Sequence, residues 1–167
     1  MALVSPTTSE FRLALGQFAT GVTVVTAERA PGRVHGMTAN SFTSVSLEPL
    51  LILICVNHNA QLLPMIERQK RFGINVLKDT QRAISEYFAR PEEDEKIERQ
   101  LGIRFRWTGG VPLLEDALVH LACRLSGSHI AGDHTIFLGE VDSVEVFGGE
   151  PLLYLRGEYR QLQKTSE

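Results

Sequence analysis

The sequence predicts an α+β domain, mainly β, whose strands form an antiparallel barrel with a few short helices. Three observations lead there. Hairpin-like, β-branched runs lie toward both ends of the chain with helical patterns between them, so strand and helix do not alternate as a doubly wound parallel sheet requires. Neither GxGxxG nor GxxxxGK[ST] occurs, which removes both standard phosphate loops. The 167 residues, 43% hydrophobic and 22% charged, suffice for one domain over 1–167 with its core about 11–162.

The elements follow in order. Residues 8–19 carry Phe11, Leu13, Leu15 and Phe18 at spacings that suit a short amphipathic helix, capped by Thr8 or Ser9 and ended by Gly21. "VTVVTAE" is a strand, "RAPGR" a reversal, and Val34 to Ala39 the returning strand. Leu50 to Val56 is aliphatic throughout apart from Cys55, which predicts a strand buried on both faces. "NHNAQLLPMIERQKR" reads as a short helix with Asn57 and Asn59 as caps and Pro64 in its first turn. "FGINVL" (72–77) is a strand, and "DTQRAISEYFA" a helix capped by Asp79. "PEEDEKIERQLG" has the early acids of a helix start. Leu118 to Ser126, Thr135 to Phe147 and Pro151 to Leu162 close the chain as strands, with "GDH" (132–134) and "GGEP" as turns. The total is six or seven strands and three or four helices.

Charge and composition exclude several classes. A net charge of −3 without a basic stripe argues against nucleic acid as the main partner. No apolar run approaches the ~20 residues that span a bilayer, and the amino terminus lacks a basic leader, so no membrane association and a cytoplasmic location are expected. Cys55 and Cys123 lie in apolar runs as expected of buried free thiols. The five histidines and two cysteines show no metal-ligand spacing.

One stretch combines two characters: "GMTANSFTSVSLEPLLILICV", Gly36 to Val56, sets Thr38, Asn40, Ser41, Thr43, Ser44 and Ser46 directly before the aliphatic strand. Two readings are open. The hydroxyls and amide cap a polar crossover between strands, or they converge on a ligand such as a phosphate monoester.

Five ordered blocks extend the picture: "FATGVTVVTA" (18–27), the stretch 36–56, "FGINVL" (72–77), "GDHTIFLGEV" (132–141) and "PLLYLRGEYRQL" (151–162). Together they resemble the short-chain flavin reductases, the reductase components of two-component flavin-dependent monooxygenases, from about Phe11 to Leu162. The resemblance implies an FMN-binding split barrel that works as a homodimer, with FMN or FAD near the subunit interface and NADH or NADPH as hydride donor. It places Thr38, Ala39, Asn40 and Ser41 against the flavin ring and ribityl chain, and Ser44 and Ser46 at the ribityl-phosphate end. "CVNHNA" resembles the second flavin segment, with Cys55, Val56, Asn57, Asn59 and Ala60. "YFAR" resembles the third, where Phe88 packs and Arg90 offsets phosphate charge. His134 becomes the residue on the nicotinamide side, with Asp133 shaping its turn, and Tyr159 lines the same mouth. Each has a plainer reading: helix caps for Asn57 and Asn59, a solvated arginine for Arg90, a surface turn for His134, a packed barrel tyrosine for Tyr159.

The implied activity is transfer of a hydride from a nicotinamide nucleotide to a flavin, with reduced flavin passed to a separate monooxygenase. Such chemistry belongs to the cofactors, which accounts for the lack of a triad, a carboxylate pair or a metal motif. The alternative on the same fold is a non-enzymatic flavin carrier or sensor. Residues 94–107, "DEKIERQLGIRFRW", are longer and more charged than the compact element of many relatives. No basic pair marks a 2′-phosphate site, which favours NADH.

Overall fold

The computed structural model describes residues 5–163. Its strands are β1 (Thr20–Gly21), β2 (Thr23–Ala30), β3 (Arg33–Ala39), β4 (Phe42–Leu47), β5 (Leu50–Asn57), β6 (Arg71–Val76), β7 (Phe105–Thr108), β8 (Val111–Leu114), β9 (Val119–Ala131), β10 (His134–Val146), β11 (Leu153–Leu155) and β12 (Glu158–Arg160). The helices are α1 (Thr8–Leu15), α2 (Leu62–Gln69), α3 (Arg82–Phe88) and α4 (Glu95–Gln100).

Seven strands pair antiparallel in the order β3-β2-β6-β9-β10-β5-β4. The two edge strands are consecutive in sequence, joined only by Asn40 and Ser41. A flat seven-stranded sheet would hold its edges about 29 Å apart, whereas three peptide units span at most about 11 Å. The sheet therefore curls until its edges approach, although no ladder closes β3 on β4. β7 with β8, and β1 with β11 and β12, form two small satellite sheets.

Two cores flank this sheet. Val25, Ile54, Val56, Phe72, Ile74 and Phe137 pack with Leu62, Met65 and Ile66 of α2. Val22, Val24, Leu77, Tyr87, Phe88, Leu114 and Leu152 form the second core. An isolated two-turn helix is unstable in water, so α2 depends on those three buried side chains, each contributing roughly 1.5–3 kcal/mol. Asn75, fully buried, donates to the Val24 carbonyl (2.8 Å) and to Thr26 Oγ1 (3.1 Å) and accepts from the Leu114 N–H (2.7 Å). It staples the β7–β8 hairpin to the main sheet.

Several expectations change. Burial on both faces falls to strands such as β2, where Thr23 through Ala27 are all buried, and β6, where Phe72 through Asn75 are; β5 alternates, with Ile52, Ile54 and Val56 inside and Leu51, Leu53 and Cys55 half-exposed. Continuous aliphatic character could not show that the described residues cover the outer face of β5 only in part. The hydroxyl-rich run is itself largely strand β4 rather than a crossover. The first helix stops at Gly16, and its cap is Thr7, whose hydroxyl accepts from the Glu10 N–H while Glu10 accepts from the Thr7 N–H. Asp79 sits inside a 3₁₀ turn, and Gln81 instead accepts from the Lys78 N–H. α4 is shorter than residues 91–102 and is capped by Asp94, which accepts from the Lys96 N–H (2.8 Å). The 105–114 hairpin was not anticipated, and the final run divides into β11 and β12 around Arg156 and Gly157, both at positive φ.

Candidate functional site

The site is built where β5 ends and β10 begins. Asn57 pairs with His134 across the ladder, and the His58 N–H donates to the Asp133 carbonyl (3.0 Å). Asn57 then turns the chain: its Oδ1 accepts from the Asn59 N–H and its carbonyl from the Ala60 N–H, both at 2.9 Å. Asn57 thus caps a turn, while the residue preceding α2 is Gln61 and makes no side-chain capping bond there. The two-residue loop Gly132–Asp133 needs its positive φ of 63° at Gly132, which glycine adopts without strain. His134 Nδ1 donates to Asp133 Oδ1 at 2.7 Å. That bond, with the imidazole charge second, holds the Asp133 carboxyl below its ordinary range. With Nδ1 engaged, Nε2 is the ring nitrogen left for a ligand.

Beside this corner lies a cleft of about 220 Å³ lined by Met37, Asn59, Ala60, Gln61, Phe88 and Arg90. Phe88 lies against Gly36 so closely that a Cβ there would sit 2.5 Å from the ring. Glycine is what lets β3 and α3 approach. Thr38 Oγ1 donates to the Ser85 carbonyl (2.7 Å), fixing α3 on β3 from the same strand. Ser41 Oγ donates to the Cys55 carbonyl (3.0 Å) and accepts from the Cys55 N–H (3.2 Å), which joins the β3–β4 corner to β5. Burial raises the Cys55 thiol above its ordinary range, so it is not a reactive thiolate.

Asn59, Ala60, Phe88 and Arg90 therefore line one cleft, next to Asn57 and His134. Thr38, Ala39, Asn40, Ser41 and Cys55 form the adjoining corner. Other residues stand apart. Ser44 pairs with Ile52, five residues along β5 from Asn57, or about 17 Å at the rise of a strand. Ser46 lies beyond it, with its hydroxyl accepting from the Glu48 N–H (3.2 Å). Val56 is fully buried in the core, so only its backbone is available to a ligand. Tyr159 packs on Tyr154 with its hydroxyl 2.9 Å from Ser85 Oγ, and among the described residues nothing links it to His134. Gly36, His35, Gln61 and Glu93 escaped the sequence reading. Gly36 could have been suspected from its place before "MTAN"; Glu93 meets His35 across 58 positions, beyond any local pattern.

The chemistry fits a flavin. Met37, Ala60 and Phe88 offer apolar surface for a ring, and Asn59 offers amide donors and an acceptor. Arg29 is held by Glu93 and Arg33 by Glu95, whereas Arg90 makes no ion pair among the described residues and can meet an anionic group.

Residues 15–163 match the model of the flavin reductase like domain. The chain belongs to that family. It is 44% identical over 155 residues to an NADH-dependent flavin reductase of a Rhodococcus species, covering 91% of this chain and 85% of the relative. It is 42% identical to the reductase component of 4-hydroxyphenylacetate 3-monooxygenase from Thermus thermophilus, covering 91% of this chain and 95% of that one. Among solved structures, the flavin reductase PheA2 in its native state superposes with a TM-score of 0.87 at 40% identity, covering 95% of this chain and all of that one. Flavin reductases of this kind share the mostly antiparallel sheet with few short helices described above.

Proposed function

We propose that this chain is a one-domain NADH:flavin oxidoreductase that supplies reduced FMN or FAD to a separate monooxygenase. The observation that carries the reading is the corner where Asn57, Asn59 and His134 meet beside a cleft whose arginine, Arg90, makes no ion pair among the described residues, in a chain of the flavin reductase like family. Bound flavin supplies the hydride-accepting ring and the nicotinamide nucleotide supplies the hydride. The residues here bind and orient. Asn59 and the backbone at Ala60 face the cleft, Phe88 and Met37 give it apolar walls, and Arg90 balances phosphate charge. His134, aligned by Asp133, presents Nε2 toward the nucleotide. NADH oxidation that depends on added FMN or FAD is the expected result with the purified chain; its absence with both flavins and with NADH and NADPH alike sinks the reading.

The homodimer belongs to the same proposal. α1 buries none of its residues; Phe11, Leu13 and Leu15 are exposed on it, and Phe18 just beyond it. Val45, Leu47 and Leu50 are exposed at the β4–β5 hairpin, beside the half-exposed outer face of β5. Apolar surface of this extent fits a second copy. Sedimentation should give twice the chain mass, and Leu47→Asp with Leu50→Asp should shift it toward the monomer; a monomeric parent chain would refute the pairing. We place the protein in the cytoplasm, in keeping with Cys55 and Cys123 both being free. Among the described residues no helix is long and apolar enough to cross a membrane.

A further inference from the structure

Residues 89–94 belong to no helix or strand, and the first three of them, Ala89, Arg90 and Pro91, line the cleft. The segment leaves the end of α3 and is fastened by side chains. Gln61 Nε2 donates to the Pro91 carbonyl (2.9 Å), and the Asp94 N–H donates to the Tyr87 hydroxyl (2.8 Å). Between those points Glu93 reaches back to the sheet. One carboxylate oxygen accepts from His35 Nδ1 and the other from Arg29 Nη1 (2.8 Å).

The contrast with a neighbouring pair is informative. Arg33 and Glu95 keep 57% and 59% of their side-chain surface exposed, whereas His35 and Glu93 keep 6% and 13%. An exposed pair moves freely in water and fixes little. A nearly buried carboxylate with both oxygens engaged has one position, and removing its partners leaves it unsatisfied. His35 also lines the cleft, between Val34 and Gly36 on β3, so this contact ties one side of the cleft to the other.

We infer that Glu93, held between His35 and Arg29, is a positioning residue: it anchors the 89–94 segment just behind the cleft-lining residues Arg90 and Pro91, and so sets the affinity of the cleft for flavin. The inference rests on the flavin reading above and deepens it. The Ala89 and Arg90 N–H groups stay bonded to the Ser85 and Tyr87 carbonyls at the end of α3; without the Glu93 tether the stretch beyond Arg90 is held by side chains at Pro91 and Asp94 alone.

The test is titration of FMN and FAD by fluorescence quenching, with steady-state NADH turnover, for the parent chain, Glu93→Ala, Glu93→Gln and Glu95→Ala. Glu93→Ala should raise Kd and KM for flavin about tenfold, equivalent to about 1.4 kcal/mol, while kcat at saturating flavin falls far less. Glu93→Gln keeps the length and one acceptor, enough for His35 Nδ1, but turns its N–H₂ toward the Arg29 donor, and should recover only part of the loss. Glu95→Ala, at the exposed pair, should bind flavin as the parent does. An unchanged Kd in an active Glu93→Ala enzyme overturns the inference alone, as does an equal loss in Glu95→Ala. Should Glu93→Ala not fold, Arg29→Ala removes only the outer tether: a rise in Kd of about threefold supports the role, and none overturns it. A parent chain that neither binds flavin nor oxidises NADH overturns this inference and the flavin reading together.

Discussion

The corner that carries Asn57, Asn59 and His134 is held mainly by main-chain hydrogen bonds around the β5–β10 ladder, whereas the wall that carries Phe88, Arg90 and Pro91, at the end of α3, is tied to the rest of the fold by side chains. At the corner, ladder register and the His58-to-Asp133 bond fix the backbone whatever side chains are present. At the wall, Phe88 against Gly36, Gln61 to Pro91 and Glu93 to His35 each depend on one residue's identity. The lesson is that two parts of one site can differ in how they respond to substitution. Geometry set by a ladder changes little when one side chain is lost. Geometry set by side chains changes with each.

Substitutions can break or sharpen that contrast. The largest effect is expected at the wall. Phe88→Ala removes a buried aromatic from the second core and should cost about 3–5 kcal/mol, read by denaturant unfolding, with flavin affinity falling more than tenfold. Next is His134→Ala at the corner. It should raise KM for NADH by roughly five- to tenfold, on the order of 1 kcal/mol, while flavin Kd stays near that of the parent. Equal losses for both ligands would make His134 a structural residue instead. Smallest is Asn57→Ala, which deletes one side-chain bond in a turn whose backbone is otherwise held. A loss of about 1 kcal/mol, and a flavin Kd within about twofold, is the expected outcome. If Asn57→Ala proves as damaging as Phe88→Ala, the two parts are not built differently after all.

Legibility in the sequence follows the same division. The hairpins around Pro31–Gly32 and Gly132–Asp133 were readable because turn chemistry and flanking alternation are local. Pro64 falls in the first turn of α2, where its missing N–H costs nothing. The β7–β8 hairpin was missed because four-residue strands carry too little alternation, and its staple, Asn75, lies 39 residues before the Leu114 N–H it binds. The hydroxyls of 38–46 were singled out together, yet they divide in space. Ser41 closes the β3–β4 corner and Ser44 and Ser46 run away from it along β4, because a strand separates residues by about 3.4 Å each.

The sequence by itself determined the antiparallel α+β class, the order of most strands and helices, and, through its ordered blocks, the family. Those properties rest on neighbouring residues, whose periodicity and turn preferences act over a few positions. Tertiary structure decided which strands are covered on both faces, which face of β5 stays half-exposed, and how His35, Glu93 and Arg29 meet beside the cleft. Burial and long-range pairing depend on what the curled sheet brings close, and chain separations of 58 and 64 residues leave no local pattern to read.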